Sequence, residues 1–237
     1  MIPAKVPAVG TEAVRCSCRQ NQEARDLLAA AGIPPRYGHC TLASFELGGV
    51  GGEGSSSLEA AFILARGFAE NYPHRDGAGL LFMGPCGVGK THLAVAILQT
   101  LVLERGVAGR FADCRELLKS IQATYDPNTP DSEAGVIAPL LRTPVLVLDD
   151  LGVGRSTEWA VETLHYLLNH RFAHQRATIL TTNIEDADPA RVRLPGGDYE
   201  GKRTLGTVIG ERLRSRLYEM CHLIRMQGDD FRRHLAL

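Results

Sequence analysis

The octapeptide GPCGVGKT, residues 84–91, constrains this chain more than any other part of its sequence. It matches the phosphate-binding pattern G-x-x-x-x-G-K-[ST], with the apolar run LLFM before it and a helical pattern after it. In such a loop the backbone N–H groups surround phosphate oxygens, the lysine adds a positive charge and the threonine hydroxyl suits Mg²⁺. We therefore predict a nucleotide site in which Thr91 is a metal ligand. The predicted nucleotide-binding residues are Gly84, Gly87, Val88, Gly89, Lys90, Thr91 and His92.

The rest of the sequence alternates between short apolar runs and longer helical patterns. This alternation predicts an α/β, three-layer P-loop NTPase fold with a mostly parallel central sheet. The run VLVL is unbroken, which is typical of a strand buried on both faces. The predicted strands cover residues 80–83, 109–114, 145–148 and 177–183, and the predicted helices cover residues 58–72, 91–104, 115–125 and 158–172.

The N-terminal part predicts a short helical appendage. Residues 21–31 carry helix formers, and the following AGIPPRYGHCTL ends the helix because it contains a glycine and two adjacent prolines. Residues 46–57, ELGGVGGEGSSS, predict a flexible connector or an exposed loop. We therefore expect a short partner-binding segment at residues 1–45, followed by the core at residues 46–237.

Composition limits the class of protein and its compartment. The 237 residues are 44% hydrophobic and 22% charged, with a net charge of −1, which is ordinary for a globular protein and gives no global basic excess. No segment is apolar over the roughly 20 residues that a bilayer requires, and MIPAKVPAVG does not resemble a secretory leader. We therefore expect a cytoplasmic protein without membrane contact.

The six cysteines are scattered, which indicates reduced thiols rather than a disulfide framework. Cys16 and Cys18 form a C-x-C pair. Structural zinc sites usually use two pairs at C-x₂₋₄-C spacing, and no second pair precedes this one. Two reduced thiols are therefore the preferred interpretation, and a zinc site is the alternative.

Two acidic residues follow the predicted strand at 145–148. There Asp149 is placed to hold a metal ion through its water shell, and Asp150 is placed to orient an attacking water molecule. Two carboxylates at a strand end are costly without a nearby cation. The alternative is a solvated Asp-Asp turn, and the phosphate-binding loop upstream favours the metal site.

The segment between the phosphate-binding loop and Asp149 contains the predicted strand at 109–114 and its helix. This leaves room for a strand inserted between the two nucleotide-binding strands, as in hydrolytic P-loop proteins rather than simple small-molecule kinases. Asn183, preceded by Thr181 and Thr182, follows the next strand. We predict that Asn183 holds the lytic water and senses the γ-phosphate. Taken on its own, Asn183 is more typical of a helix cap, and its position as the third polar signal at a strand end favours the sensor.

Residues 206–220, GTVIGERLRSRLYEM, predict a helix with one apolar stripe and flanking arginines. Such arginines usually lie along the surface with the charged end in solvent. Because the nucleotide motifs contain no obvious arginine of their own, an arginine finger acting on a neighbouring subunit is the alternative. The stripe is Ile209, Leu213, Leu217 and Met220, flanked by Arg212 and Arg216 on one side and by Arg214 on the other.

Together these motifs resemble the AAA+ ATPases of the bacterial DnaC/DnaI helicase-loader group and its relative IstB, the transposition helper. The matching segments are GPCGVGKTHLA, VLVLDDLG, TEWAVETLHYLLNHRF, ILTTN, SRLYEM and IRMQGDDFRR, and IPPRYGHCTLASF resembles the segment that enters the ATPase core of DnaC-like proteins. The resemblance implies an AAA+ core of the ASCE type at residues 46–237, with ATP and Mg²⁺ as cofactors. It places Lys90 and Thr91 on Walker A, Asp149 on the Walker B metal position, Asp150 on the catalytic acidic position, Asn183 on sensor 1 and Arg216 on the arginine finger, with Arg212 as the other candidate for the finger.

The sequence also departs from the family pattern. Asp150 stands where many AAA+ proteins have Glu, and its shorter side chain implies slow hydrolysis. Arg232 in DDFRR is not such a departure, because the resemblance puts it at a position like that of sensor 2. The N-terminal region is short, with CSC as a remnant of the cysteine-rich segment of related proteins, which puts the helicase contact in doubt. An extra loop at residues 191–206 separates sensor 1 from the finger helix.

The resemblance further implies that ATP binding assembles subunits into a ring or spiral that grips single-stranded DNA and delivers a replicative helicase. From residue 191 onward ten Lys/Arg face six Asp/Glu, a modest local surplus for phosphate contact. An IstB-like helper of a DNA transposase and a weakly hydrolysing, nucleotide-gated interaction module are the alternatives. A P-loop kinase is disfavoured because no arginine-rich lid or acceptor signature is present in the sequence.

Overall fold

The fold is built on one five-stranded sheet. The structure is a computed structural model of the chain, and it describes residues 17–47, 55–74, 76–152, 157–186 and 204–233. The strands lie in the order β2-β3-β4-β1-β5, and every neighbouring pair is parallel. The predicted parallel character of the sheet is confirmed. The strands are β1 (Gly79–Met83), β2 (Gly109–Asp113), β3 (Val145–Asp149), β4 (Ala177–Thr182) and β5 (Cys221–Arg225).

Helices supply the crossover connections that parallel strands need. In the part of the chain that the structure describes, the helices are α1 (Ser17–Ala30), α2 (Ser55–Glu70), α3 (Lys90–Arg105), α4 (Cys114–Ala123), α5 (Glu133–Arg142), α6 (Glu158–Ala173), α7 (Leu205–Ile209) and α8 (Glu211–Met220). Helices α3 to α8 lie between strands, whereas α1 and α2 precede β1. The predicted helices at α2, α3, α4 and α6 are confirmed, with their ends shifted by a few residues. Helix ends shift readily because the first and last turns depend on capping contacts that a periodic pattern does not register.

Helices on both faces of the sheet complete a three-layer fold. Alternate residues of a strand point to opposite faces, so Leu80 and Phe82 of β1 join one buried cluster while Leu81 and Met83 join the other. The first cluster contains residues of α2 and α3, and the second contains residues of α4 to α8. Strands β1, β3 and β4 are buried at every position, which accounts for the apolar runs of β1 and β3. Strand β4 also buries three threonines, Thr178, Thr181 and Thr182. The three-layer α/β prediction is confirmed.

The inserted strand is β4, which pairs with both β1 and β3. Strand β2, the one expected between the two nucleotide motifs along the chain, pairs with β3 at the edge of the sheet. The carboxyl ends of β1, β3 and β4 therefore lie side by side. Loops that follow such strand ends form the crevice in which α/β proteins commonly bind ligands.

Three elements depart from the sequence pattern. Helix α5 is not apparent in the sequence because its run EAGVIAPLLR contains Pro139, which is unfavourable inside a helix. Strand β5 is not apparent because CHLIR is short and its Arg225 is exposed. The single helix expected across residues 206–220 is interrupted at Gly210, where φ is 79°, so Ile209 ends α7 instead of starting the stripe on α8.

The segment after α1, residues 31–47, is here called the lead-in segment, and it lies against the core. The backbone N–H of Phe111 in β2 donates to the carbonyl oxygen of Ala31 at 2.7 Å. The buried amide of Gln99 in α3 donates to the carbonyl oxygens of Tyr37, Gly38 and Cys40. These bonds bring the lead-in segment alongside α3 and up to the phosphate-binding loop.

Some predictions fall on residues outside the described ranges. Cys16 is one of them, so the state of the C-x-C pair stays a prediction. Residues 48–54 of the expected connector and most of the extra loop, residues 187–203, are also outside. The connector's last three residues begin α2. The division at residues 45 and 46 stays a prediction.

Candidate functional site

The phosphate-binding loop joins the end of β1 to the first turn of α3, as the sequence predicts. The helix starts at Lys90, directly after Gly89, where φ is 96°. The loop needs glycine for space as well as for conformation. A Cβ on Gly84 would stand 2.1 Å from the carbonyl oxygen of Met226, just beyond β5, and Gly84 itself has a φ of 153°. Any larger residue at Gly84 would push β5 away from β1.

Lys90 is a buried cation inside this loop. Its side chain is 7% exposed, and its Nζ donates to the carbonyl oxygens of Gly84 at 2.8 Å and Pro85 at 2.7 Å. Within the described ranges it forms no ion pair. Burial lowers the pKa of Lys90 below its usual range. A buried ammonium that meets only carbonyl oxygens fits an anionic ligand, and phosphate oxygens supply the missing charge.

Asp149 and Thr91 meet beside the loop. The Thr91 hydroxyl donates to Asp149 Oδ1 at 2.9 Å, and the Thr181 hydroxyl donates to the same oxygen at 2.6 Å. Asp149 is 2% exposed, and burial raises the pKa of its carboxyl group above the usual range. A buried carboxylate with two hydroxyl partners and no cationic partner among the described residues fits a hard divalent cation such as Mg²⁺. The residues predicted to hold the metal are therefore brought together.

Asp150 adopts a left-handed conformation with φ at 56°, which is uncommon for a residue other than glycine. Thr181 stabilises this turn. Its hydroxyl oxygen accepts a hydrogen bond from the Asp150 backbone N–H at 2.9 Å, and its carbonyl oxygen accepts one from the Leu151 N–H at 2.8 Å. The half-exposed Asp150 side chain thus follows the buried Asp149 at a fixed turn. Strained residues of this kind are common at active sites.

Thr181 is a site residue that the sequence reasoning did not identify. One hydroxyl donates to Asp149 and accepts from Asp150, so Thr181 links the end of β4 to both acidic residues of β3 and its loop. The signal in the sequence was the pair of threonines before Asn183. It has no meaning until β4 is known to lie next to β3.

Asn183 follows β4, and its side chain is exposed at the same edge of the sheet. Its Nδ2 atom lies 3.6 Å from the Sγ atom of Cys86 in the phosphate-binding loop. The helix-cap alternative does not apply in the part of the chain described here, because α7 is capped by Thr204. Asn183 therefore lies beside the phosphate-binding loop, where sensing a bound phosphate requires it to be.

The arginines of α8 lie apart from one another. Arg216 Nε donates to Asn169 Oδ1 of α6 at 2.8 Å, its guanidinium stacks over the Phe172 ring at 4.4 Å, and it forms an ion pair with Glu219. Arg214 pairs with Asp186 at 2.6 Å, and Arg212 is exposed. The contacts of Arg216 hold it against α6, so its role as a finger stays a prediction.

The C-terminal segment crosses the phosphate-binding loop, which the sequence did not indicate. The Phe231 N–H donates to the Gly87 carbonyl oxygen at 3.1 Å. A Cβ on Gly87 would meet the Asp230 carboxylate at 1.7 Å. Arg232, whose Nε donates to Asp230 at 3.1 Å, lies near enough to Lys90 that its charge adds to the effect of burial in lowering the pKa of Lys90. The sensor-2-like role of Arg232 stays a prediction.

The lead-in segment covers the other side of the loop. His92 Nε2 lies 2.9 Å from the Thr41 carbonyl oxygen, and the Phe45 ring meets the His92 ring edge-on at 5.3 Å between centroids. A Cβ on Gly89 would stand 2.6 Å from the Phe45 ring. The His92 side chain thus faces the lead-in segment, and its backbone belongs to the helix start that faces the predicted phosphates.

The comparison with protein families shows to which family the chain belongs. The profile of the family described as IstB-like ATP binding protein matches residues 71–236, which include the phosphate-binding loop, both acidic residues, Asn183 and α8. The chain belongs to this family. The predicted resemblance is confirmed.

Two curated relatives of the IstB-like chain are the uncharacterized protein YqaM of Bacillus subtilis and the replicative helicase loader DnaC of Escherichia coli K12. YqaM is 24% identical over 228 residues, which are 92% of this chain and 65% of YqaM. DnaC is 30% identical over 155 residues, which are 65% of this chain and 59% of DnaC. The chain spans less than two thirds of the length of either relative.

Solved structures agree with the AAA+ fold. The crystal structure of the DnaC helicase loader has a TM-score of 0.65 at 30% identity and covers 82% of this chain and 100% of that chain. AMPPCP-bound DnaA from Aquifex aeolicus, at 18% identity and a TM-score of 0.60, covers 84% of this chain and 52% of that chain and shares the fold. Within the described residues, no helix combines the length and apolar character needed to cross a membrane.

Proposed function

We propose that this IstB-like chain is an ATP-hydrolysing helicase loader of the DnaC type. The observation that carries the proposal is its likeness to the DnaC helicase loader, which is 30% identical and is covered along 100% of its solved chain. In this function the protein binds ATP with Mg²⁺ and assembles with further copies on single-stranded DNA. The assembly then delivers the replicative helicase to the DNA.

The described residues support the nucleotide chemistry. Lys90 exchanges two carbonyl partners for phosphate oxygens, and Asp149 with Thr91 holds the metal. The bound Mg²⁺ supplies positive charge that stabilises the charge developing on the transferred phosphoryl group. Asp150 orients the attacking water, and Asn183 hydrogen-bonds to that water and senses the terminal phosphate. Arg216 acts on the site of the next subunit.

The contacts of Arg216 in the single chain show which partners it must exchange when subunits assemble. Asn169, Phe172 and Glu219 hold its guanidinium at the surface between α6 and α8. To act as a finger the side chain exchanges these partners for a phosphate on a neighbouring subunit. The partners given up are the neutral amide of Asn169 and an exposed ion pair with Glu219, which contributes little in water, whereas a phosphate accepts stronger charge-assisted hydrogen bonds.

A second candidate is an ATPase helper of a DNA transposase. The observation that favours it is the IstB-like profile, which matches residues 71–236. Both candidates need the same nucleotide site, and they differ in the partner and in the form of DNA. The helicase is the partner in the first, and duplex DNA with a transposase is the partner in the second.

The deciding experiment measures ATP hydrolysis and particle mass with and without single-stranded DNA, and repeats both with the replicative helicase of the same organism. We expect larger particles on single-stranded DNA, faster hydrolysis and a stable complex with the helicase. Assembly on duplex DNA without any effect of the helicase would favour the transposition helper. Nucleotide-dependent assembly without measurable hydrolysis would instead favour the gated interaction module that the short Asp150 side chain allows.

A further inference from the structure

Three side chains with metal-binding atoms converge beside the nucleotide site, at the contact between the lead-in segment and α3. They are His39, Cys40 and His92, and one nitrogen or sulfur atom from each lies within 4.8 Å of the others. The first two belong to the lead-in segment and the third to the first turn of α3. None of the functions discussed above requires these three side chains to meet.

The three ligand atoms lie somewhat farther apart than they would around a bound transition-metal ion. Zinc–nitrogen distances near 2.0 Å and a zinc–sulfur distance near 2.3 Å place tetrahedral ligand atoms roughly 3.5 Å apart. The His39 Nε2 atom and the Cys40 Sγ atom are already 3.8 Å apart. Closing the set around an ion requires rotamer changes of His39, which is exposed, and of His92, which is half-buried.

The surroundings of His92 match those of metal-binding histidines. Its Nε2 lies 2.9 Å from the Thr41 carbonyl oxygen, and because a carbonyl oxygen only accepts, Nε2 carries the proton. The neutral ring then keeps a lone pair on Nδ1. Histidines that bind a metal ion commonly donate their other ring N–H to a backbone carbonyl oxygen, which fixes the orientation of the ring.

The set of donor atoms selects the class of cation. Two imidazole nitrogens and one sulfur suit Zn²⁺ and the spectroscopic substitute Co²⁺, whereas Mg²⁺ prefers the oxygen atoms of Thr91 and Asp149. Cys40 is 2% exposed, which shields the sulfur, and His39 is exposed, which leaves a side open for a water molecule as the fourth ligand. Coordination through sulfur releases the thiol proton to solvent.

We propose that His39, Cys40 and His92 form a site for one Zn²⁺ ion that ties the lead-in segment to the start of α3. The site is separate from the Mg²⁺ site and does not depend on helicase loading. Because His92 directly follows Thr91, the ion fixes the lead-in segment beside the phosphate-binding loop. The expected consequence is a lead-in segment that opens less readily and a protein that unfolds at a higher temperature with Zn²⁺.

The test uses full-length protein without a polyhistidine tag, treated with a chelator, kept reduced and held in excess MgCl₂ so that oxygen ligands are occupied. Titration with Co²⁺ should give one equivalent of tetrahedral visible absorption together with a near-ultraviolet band from sulfur-to-cobalt charge transfer. Zn²⁺ should displace the colour stoichiometrically. His39→Ala should weaken Co²⁺ binding by at least about tenfold, and Cys40→Ser should remove the sulfur band.

Matched variants separate this site from other thiols. Cys86→Ser tests the exposed loop cysteine, and the double change Cys16→Ser, Cys18→Ser tests the C-x-C pair; both should keep the sulfur band. His39 is exposed, so His39→Ala should melt like the wild type without metal but lose the rise in melting temperature that Zn²⁺ gives. The proposal fails if Co²⁺ gives no stoichiometric sulfur band, or if the band survives Cys40→Ser.

Discussion

Two buried charges define the site at the scale of single residues. The Lys90 ammonium has only carbonyl partners, and the Asp149 carboxylate has only hydroxyl partners. Each lacks an ion-pair partner among the described residues. Burying these two charges therefore costs the protein more free energy without a ligand than with one. A site of this kind sacrifices stability in the free protein for affinity in the bound state.

Lys90→Ala should lower ATP affinity by about 100-fold, because it removes the charge-assisted hydrogen bonds to phosphate. The measurement is equilibrium binding of a fluorescent ATP analogue, confirmed by calorimetry with ATP. Lys119→Ala on α4 is the matched control, since Lys119 is exposed, and it should bind ATP normally. Unchanged affinity in Lys90→Ala would show that the loop does not hold the phosphates.

Asp149→Asn should abolish Mg²⁺-dependent hydrolysis while making the ligand-free protein more stable by about 1 kcal/mol, because the buried charge is removed and both hydroxyl bonds remain possible. The raised pKa of Asp149 gives the sign of the pH effect. The Asp149 carboxyl group holds its proton more tightly in the folded protein than in the unfolded chain. The stability that this proton gives the wild type is therefore fully present below pH 3.8, the ordinary pKa of the group, and is lost as the pH rises above it.

Thermal unfolding of both proteins from acid to neutral pH checks this prediction. The advantage of the Asn variant should be small near pH 4 and grow toward neutral pH. Asp131→Asn, at an exposed loop position, is the matched control variant. A pH-independent difference between wild type and Asp149→Asn would contradict the assignment of the effect to this carboxyl group.

Contacts between elements position the chemistry at the next scale. Thr181 at the end of β4 holds Asp149 and Asp150, although 32 residues separate it from Asp149 along the chain. Thr181→Val keeps the shape and removes the hydroxyl. We expect hydrolysis to fall by about tenfold or more with a smaller loss of ATP affinity, because the acidic turn is disordered while the phosphate-binding loop remains. Steady-state kinetics and binding separate the two effects.

Thr163→Val on α6 is the matched control for that change. The Thr163 hydroxyl donates only to the Trp159 carbonyl oxygen one turn earlier in the same helix, so its loss should leave hydrolysis unchanged. If Thr181→Val hydrolyses ATP like the wild type, the acidic turn is held by other contacts.

The C-terminal segment and the phosphate-binding loop form a second contact between elements. Gly87→Ala should weaken ATP binding by about tenfold or more and lower stability, because a Cβ there meets Asp230 and the φ of 81° disfavours alanine. Gly67→Ala in α2 is the control: nothing lies within 4 Å of its Cβ position. Its unfolding free energy should rise by roughly 0.5–1 kcal/mol. Chemical denaturation measures the stability of both variants. A Gly87→Ala variant as stable as the wild type would contradict the close approach of Asp230 to Gly87.

Assembly belongs to the scale of the whole molecule. Arg216→Ala should leave ATP binding by the isolated chain intact and remove the stimulation of hydrolysis on single-stranded DNA, by about 100-fold or more if Arg216 is the finger. Arg212→Ala is the matched comparison, since Arg212 lies on the same helix and is exposed. Normal stimulated hydrolysis in Arg216→Ala together with a loss in Arg212→Ala would move the finger to Arg212.

The sequence determined the local parts of the molecule. The loop at residues 84–91, the buried strands β1, β3 and β4, and the acidic pair at the end of β3 each follow from spacing and apolar patterning over a few neighbouring residues. Helix α5 and strand β5 could not be predicted in this way, because Pro139 interrupts the helical pattern of α5 and the exposed Arg225 interrupts the apolar pattern of β5. Patterns of this kind register the propensity of a segment, and packing against the rest of the protein decides the exceptions.

Only the tertiary structure decided which side chains meet. Arg171 appears in the sequence as an ordinary helix-end cation, yet it is fully buried and donates to the carbonyl oxygens of Leu140 and Thr143. Thr181 belongs to the site because β4 pairs with β3. Asp230 lies against Gly87 because the C-terminal segment crosses the phosphate-binding loop. The physical reason is that a hydrogen bond extends about 3 Å, so partners distant in sequence are set by which strands pair. That pairing depends on burial over the whole sheet, which no short stretch of sequence contains.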